Sequence, residues 1–188
     1  MESEPIKSLA GQLLVASPKL GDSNFEKTVL LMVQHSPDGA LGLILNRPLK
    51  ITIDEAWEQV SQTPCNSAGH IHHGGPCEGP LMVVHTDEAL SEDEVSPGIY
   101  FSAERELVEA LVAHGEEPMK FFVGYSGWTA GQLETEIAEG AWYAAPINGG
   151  RVFHGPPEQW DVVMRAVERH QSAPWLDPKL IPDDPSVN

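Results

Sequence analysis

The chain has 188 residues, 41% of them hydrophobic, with 17 glycines and 16 prolines; that length fits one self-stabilising domain, and the turn content excludes a long helical bundle. Eleven basic against 28 acidic residues give a formal charge of −17, which repels phosphate backbones and anionic lipid and so argues against direct nucleic-acid binding. Cys65 and Cys77 lie twelve positions apart, no apolar run could span a bilayer, and the start Met1-Glu2-Ser3-Glu4-Pro5 has no signal-peptide core, so the expected setting is cytoplasmic and reducing, without a membrane segment.

Three apolar runs open the chain, Gly11 to Ser17, Thr28 to Gln34 and Ala40 to Asn46, and each reads as a strand, with Asp38-Gly39 as a hairpin turn. From Thr52 the period changes. Ile53, Ala56, Trp57 and Val60 follow helical spacing behind the capping box Thr52-x-x-Glu55. Strands are expected again at His70 to His73, Leu81 to His85 and Ile99 to Phe101, followed by a helix capped by Ser102 and ended by Gly115. Met119 to Tyr125 reads as a buried strand, and Thr129-x-x-Gln132 as the capping box of a helix stopped near Gly140. Trp142 to Ala145 adds a strand. A final helix over Pro157 to His170 carries Trp160, Val163, Met164 and Val167 on one face. Strands in consecutive runs, rather than strict alternation with helices, favour α+β with a mixed sheet. The organisation expected is one domain over residues 1–172 and a proline-rich, mobile tail over residues 173–188.

Four groups of residues invite a chemical reading. Ser126, inside Gly124-Tyr125-Ser126-Gly127-Trp128, sits where a nucleophile elbow would expose a serine, with His85 as a conceivable base; Trp128 occupies the position where the elbow requires glycine, and a turn serine is the plainer reading. Cys65, His70, His72, His73, Cys77 and His85 fall within 21 positions, making His70, His72 and Cys77 weak metal candidates whose spacing fits no zinc pattern. Glu134 and Glu136 point to opposite sides of a helix and cannot form one acid/base pair; a solvated face is expected for Glu136 and Glu139, and Gln132 suits a cap as well as a ligand. Asn46-Arg47-Pro48 ends a buried strand, and Arg47 suits either an external anion or an internal salt bridge to Asp22, Glu134 or another acid, the latter favoured. No Walker A loop or G-x-G-x-x-G occurs, so no cofactor is expected.

Together, Gly11-Gln12-Leu13-Leu14-Val15-Ala16, Gly39-Ala40-x-Gly42-Leu43-x-Leu45-Asn46-Arg47-Pro48, Gly74-Gly75-Pro76 and Gly124-Tyr125-Ser126-Gly127-Trp128-x-x-Gly131-Gln132-Leu133-Glu134-x-Glu136 resemble the YqgE/AlgH family. The resemblance implies an α+β fold with a mixed, branched pseudo-barrel sheet flanked by short helices. It implies bacterial, cytosolic proteins whose regulator label comes from an association with alginate control rather than from a demonstrated site. The leading expectation is therefore a non-enzymatic regulatory or interaction role with an unidentified protein or small-molecule partner. A small-anion-binding protein or hydrolase built on Asp22, Asn46, Arg47, Ser126, Trp128, Gln132 and Glu134 is the alternative, and a transcriptional regulator the third reading.

Overall fold

The computed structural model describes residues 8–115 and 118–172; the proline-rich tail lies outside the described residues. In chain order the elements are β1 (Leu13–Ala16), β2 (Val29–Ser36), β3 (Gly39–Ile44), β4 (Pro48–Thr52), α1 (Ile53–Val60), β5 (His70–His73), β6 (Met82–His85), β7 (Asp93–Ser96), β8 (Ile99–Ser102), α2 (Arg105–His114), β9 (Lys120–Val123), β10 (Ser126–Thr129), α3 (Gln132–Ala138), β11 (Trp142–Ala145), α4 (Gly149–His154) and α5 (Gln159–Ser172). Sheet one is antiparallel throughout, in the order β10-β3-β2-β1-β11. Sheet two, in the order β4-β5-β9-β6-β8-β7, is mixed because β5 and β9 run parallel.

Strict period-two alternation sorts the side chains into layers. Leu13, Val15, Val29, Leu31, Leu43 and Leu45 face inward between the sheets, where they meet Met82, Val84 and Phe122 of sheet two and the apolar side of α5. Leu14, Ala16, Leu30, Met32 and Ile44 face outward and are covered by Leu133 of α3 and two tryptophans. On the far side of sheet two, Ile71, Val83 and Phe121 pack under α1 and α2. Both faces of each sheet are thus buried, which is why the strands read as nearly continuous apolar runs.

The two sheets branch from one another at a backbone junction. Gly74, just past β5, donates its N–H to Val123 of sheet two (2.9 Å), while its carbonyl accepts from Ile44 of sheet one (2.9 Å) and from the Ser126 hydroxyl (3.1 Å). Gly124, at φ +71°, turns the chain from β9 into β10 at this point. A Cβ on Gly74 would collide with the Gly124 carbonyl oxygen, so only glycine permits the approach. No barrel closes among the described residues; the pair of sheets is open and branched.

Several expectations change. Residues 126–129 form the edge strand β10 rather than a turn into a helix, and Gly131, not Thr129, caps α3, although Gln132 Oε1 still accepts from the Thr129 N–H at 3.0 Å. Ser102 ends β8 and is fully buried; Glu104 caps α2. The hairpin between β2 and β3 turns on Pro37-Asp38, with Gly39 already in β3 opposite Ser36. Val60, expected inside, is 71% exposed at the end of its helix. No described helix is long and apolar enough to cross a membrane.

The junction generates a test. Gly74→Ala should destabilise the protein by about 1–3 kcal/mol or more, because the backbone it would strike cannot rotate away. Gly21→Ala, where an added Cβ meets nothing within 4 Å, should stay within about 0.5 kcal/mol of the parent in the same urea titration.

Candidate functional site

The motif residues named from sequence do not converge on one cavity. They are used up by one another and by the backbone. Asp22 Oδ1 accepts from the Asn24 N–H (2.8 Å) and shapes an exposed loop. Arg47 makes no ion pair with Asp22 or Glu134: its Nη2 donates to the carbonyls of Ser23 (3.3 Å) and Glu26 (3.1 Å), pinning that same loop. The expected salt bridge fails because loop carbonyls reach the guanidinium first. Asn46 is buried, accepts from the Val29 N–H (2.9 Å) and donates to Lys27 and Pro157 carbonyls (2.8 and 3.1 Å), so its amide is committed.

Ser126 is completely buried and donates to Gly74, while His85 lies 3.0 Å from Ser102 Oγ. Ser126 and His85 therefore serve different partners, and no nucleophile elbow exists. Glu134 Oε1 meets His35 Nε2 at 2.7 Å, and His35 Nδ1 accepts from the Leu9 N–H at 2.9 Å, which leaves Nε2 as the nitrogen that donates to Glu134. The Glu134 carboxyl is held below its ordinary range, first by its own backbone N–H and then by His35.

Glu136, expected on a solvated face, is the hub of this region. Its Oε2 accepts from the indole N–H of Trp128 (2.9 Å) and of Trp142 (2.8 Å), and its Oε1 from Gln132 (3.0 Å). Trp128 belongs to β10 and Trp142 to β11, the two opposite edges of sheet one. A flat five-stranded sheet would hold its edges roughly 19 Å apart. Here the indole centroids are 5.9 Å apart, with Phe25 packed against both, so the sheet curls and one carboxylate on the crossing helix α3 fastens its two margins.

A cavity of about 520 Å³ lies elsewhere, where β5 and β9 meet the end of β3 and the turn between α4 and α5. Among the described residues its charged and titratable lining consists of His70, His72, Lys120 and His154, with Leu45 and Phe153 among the apolar walls and no Asp or Glu. Alternation explains the placement. Phe121 joins the outer core and Phe122 the inter-sheet core, so Lys120 shares the inter-sheet face; the parallel register sets Ile71 beside Phe121 and His72 beside Phe122, bringing His70 and His72 onto that same face.

Lys120 is 4% exposed, the one buried Lys or Arg among the described residues, and its Nζ donates to the Val152 carbonyl at 3.1 Å. Burial pushes its pKa down to about 8. Burial, and then the nearby Lys120 charge, push His72 down to about 4. His72 Nδ1 is buried without a partner, and so is the whole amide of Gln159, directly behind the cavity-lining Gly155. Unpaired buried polar groups are uncommon and concentrate at functional positions. A second cavity, of about 570 Å³, opens beside His85, but Asp87 and Glu88 line it. Among the described residues no three His, Cys, Asp or Glu side chains are placed to share a metal ion; His70 and His72 point to the Lys120 cavity, whereas Cys77 pairs with Tyr125 at the sheet junction.

The lysine and the cavity were missed from sequence. The available signal was a lone lysine at an inward position of the apolar run Met119-Lys120-Phe121-Phe122-Val123.

Geometry thus defines an α+β protein with two branched sheets, whose glycine-rich signatures build a junction and whose titratable cavity takes Leu45, Asn46 and Pro48 from one of those signatures as part of its wall. The chain belongs to the AlgH-like family, whose profile matches residues 13–172. It is 37% identical over 167 residues to a UPF0301 protein of Chlorobium luteolum, covering 84% of this chain and 85% of that one. A UPF0301 protein of Streptomyces avermitilis is 34% identical over 194 residues, covering 97% of each. The solution structure of the AlgH protein from Pseudomonas aeruginosa superposes with a TM-score of 0.71 at 29% identity, covering 89% of this chain and 92% of that one.

Two measurements follow. Glu136→Leu leaves two indole N–H groups without an acceptor and should cost about 1–3 kcal/mol for each one that water cannot reach; Glu136→Gln, which keeps an acceptor, should cost less, as read by urea unfolding followed through tryptophan emission. Lys120 binds fewer protons folded than unfolded between about pH 8 and its ordinary 10.5, so the parent should gain stability as pH rises through that window. Lys120→Met should be the more stable protein at pH 7, on the order of 2 kcal/mol, with the difference vanishing near pH 10.5.

Proposed function

We propose that this chain is a regulatory protein that works by binding rather than turnover, with a small anionic metabolite held in the Lys120 cavity as its signal. The observation carrying this reading is charge segregation. In a chain with 28 acidic residues, a concave site lined by one buried lysine and three histidines and, among the described residues, by no carboxylate is a place where an anion meets little repulsion. Among the described residues Lys120 has one acceptor, the Val152 carbonyl, so its remaining N–H donors suit a carboxylate or phosphate oxygen. His70 and His154 add imidazole donors, and Leu45 and Phe153 suit a short apolar portion.

Support for a non-catalytic role comes from the motif blocks, whose polar side chains are consumed by internal bonds. The output of such a protein is an interaction with a partner. The −17 charge argues against DNA being that partner. Two free thiols, Cys65 and Cys77, accord with a cytoplasmic location.

Thermal melts against a panel of small carboxylates and phosphate monoesters test the reading. A ligand present at about 100 times its Kd should stabilise the parent by about 2.7 kcal/mol, through mass action on the folded state. Lys120→Met should lose that stabilisation while Arg47→Met keeps it. A panel that leaves the parent unmoved, or moves Lys120→Met equally, removes the cavity from the account.

A further inference from the structure

We propose that Lys120 captures its ligand covalently and reversibly: its amine condenses with an aldehyde or 2-oxo acid bearing a carboxylate, forming an imine inside the cavity. This rests on the anion-binding reading and names the ligand class. Three observations carry it.

The first is the placement of the amine. Lys120 projects from a central strand of sheet two onto the inter-sheet face, almost fully buried, with its Nζ located by the Val152 carbonyl and, among the described residues, no carboxylate paired to it. An ammonium that is desolvated without a counter-charge gives up its proton readily, the situation of lysines that attack carbonyl carbons. With its pKa down at about 8, about a tenth of the side chain is free amine at pH 7.

The second is His72. It stands on the neighbouring strand and the same face, with a buried Nδ1 that has no partner of good hydrogen-bond geometry among the described residues, and burial keeps the ring neutral at pH 7. A neutral imidazole with one free nitrogen can take a proton from the adduct and return it to the departing oxygen. The third is scale and polarity. A cavity of about 520 Å³ with apolar walls at Leu45 and Phe153 takes a small carboxylate-bearing carbonyl compound, with the apolar walls beside its carbon portion.

The step balances without a redox partner. The Nζ lone pair forms the C–N bond as the carbonyl π bond opens onto oxygen. The resulting carbinolamine nitrogen releases its protons, and the oxygen leaves as water with the two protons it has gained. Water reverses the sequence.

The test uses the full chain at pH 8 with glyoxylate, and with glycolate as the matched anion that has no carbonyl. Borohydride fixes any imine as a carboxymethylated lysine, and peptide mapping locates it among the six lysines. Lys120 should be labelled about tenfold more than the next lysine, because exposed amines stay protonated. Lys120→Arg should keep the thermal stabilisation by glycolate and lose the selective adduct. Labelling spread evenly over the lysines, or absent from Lys120 while glycolate and glyoxylate stabilise equally, overturns the covalent step and leaves anion binding standing. Absence of both the label and any stabilisation overturns the two together. Mapping of the parent decides the matter by itself if Lys120→Arg does not fold.

Discussion

Everything in this molecule is arranged around the close contact of two stretches of backbone, Gly74-Gly75 against Gly124-Tyr125. Sheet one and sheet two are separate ladders of hydrogen bonds, and the Gly74 peptide is the group that belongs to both, donating to Val123 and accepting from Ile44 and Ser126. Side chains at this crossing would hold the strands apart. Because the strands do approach, β9 can feed directly into β10 and pass from one sheet to the other within a few residues. The inward face of β5 and β9 is fixed by the same crossing, and with it the direction in which His72 and Lys120 point. The glycine signatures of the sequence are thus an architectural device, and the titratable cavity is a consequence of where they set the strands.

Placing one cation inside an otherwise acidic protein is costly unless something shares its charge. Here the protein supplies one carbonyl and leaves a neutral histidine alongside. That arrangement stabilises the fold poorly, which is the asymmetry the proposed anion site would call for. The contrast with Arg47 is instructive. Both are rare cations near the end of a buried strand, yet Arg47 spends its donors on loop carbonyls and opens onto no described cavity.

Much of the fold was legible in the amino-acid sequence because both sheets bury both faces. The runs around Leu14, Leu31 and Leu43 announce strands, and Glu55 reaches back to the Thr52 N–H at 3.0 Å as a capping box should. What could not be read depended on contacts distant in sequence. Helical geometry correctly separates Glu134 from Glu136, but only the curl of sheet one reveals that Glu136 meets two indoles drawn from opposite margins. Ser126 and Ser102 look like turn and cap residues locally and are instead buried donors, to Gly74 and to Leu90. The strands β4 and β7 are short and lie at the two edges of sheet two, and neither has an apolar pattern to betray it. Lys120 escaped notice because a single lysine in an apolar run reads as an interruption, and only strand register says that it points inward.

The curl of sheet one also bears on how the chain is made. Its three central strands are complete once Ile44 has been synthesised, but both of its margins, β10 and β11, come from residues 126–145. Until the ribosome has delivered that segment, the β1–β3 meander has two unpaired edges and two uncovered apolar faces, the state most prone to join a neighbouring copy. The exposed stage of synthesis therefore lasts for most of the chain and ends with the arrival of Trp142.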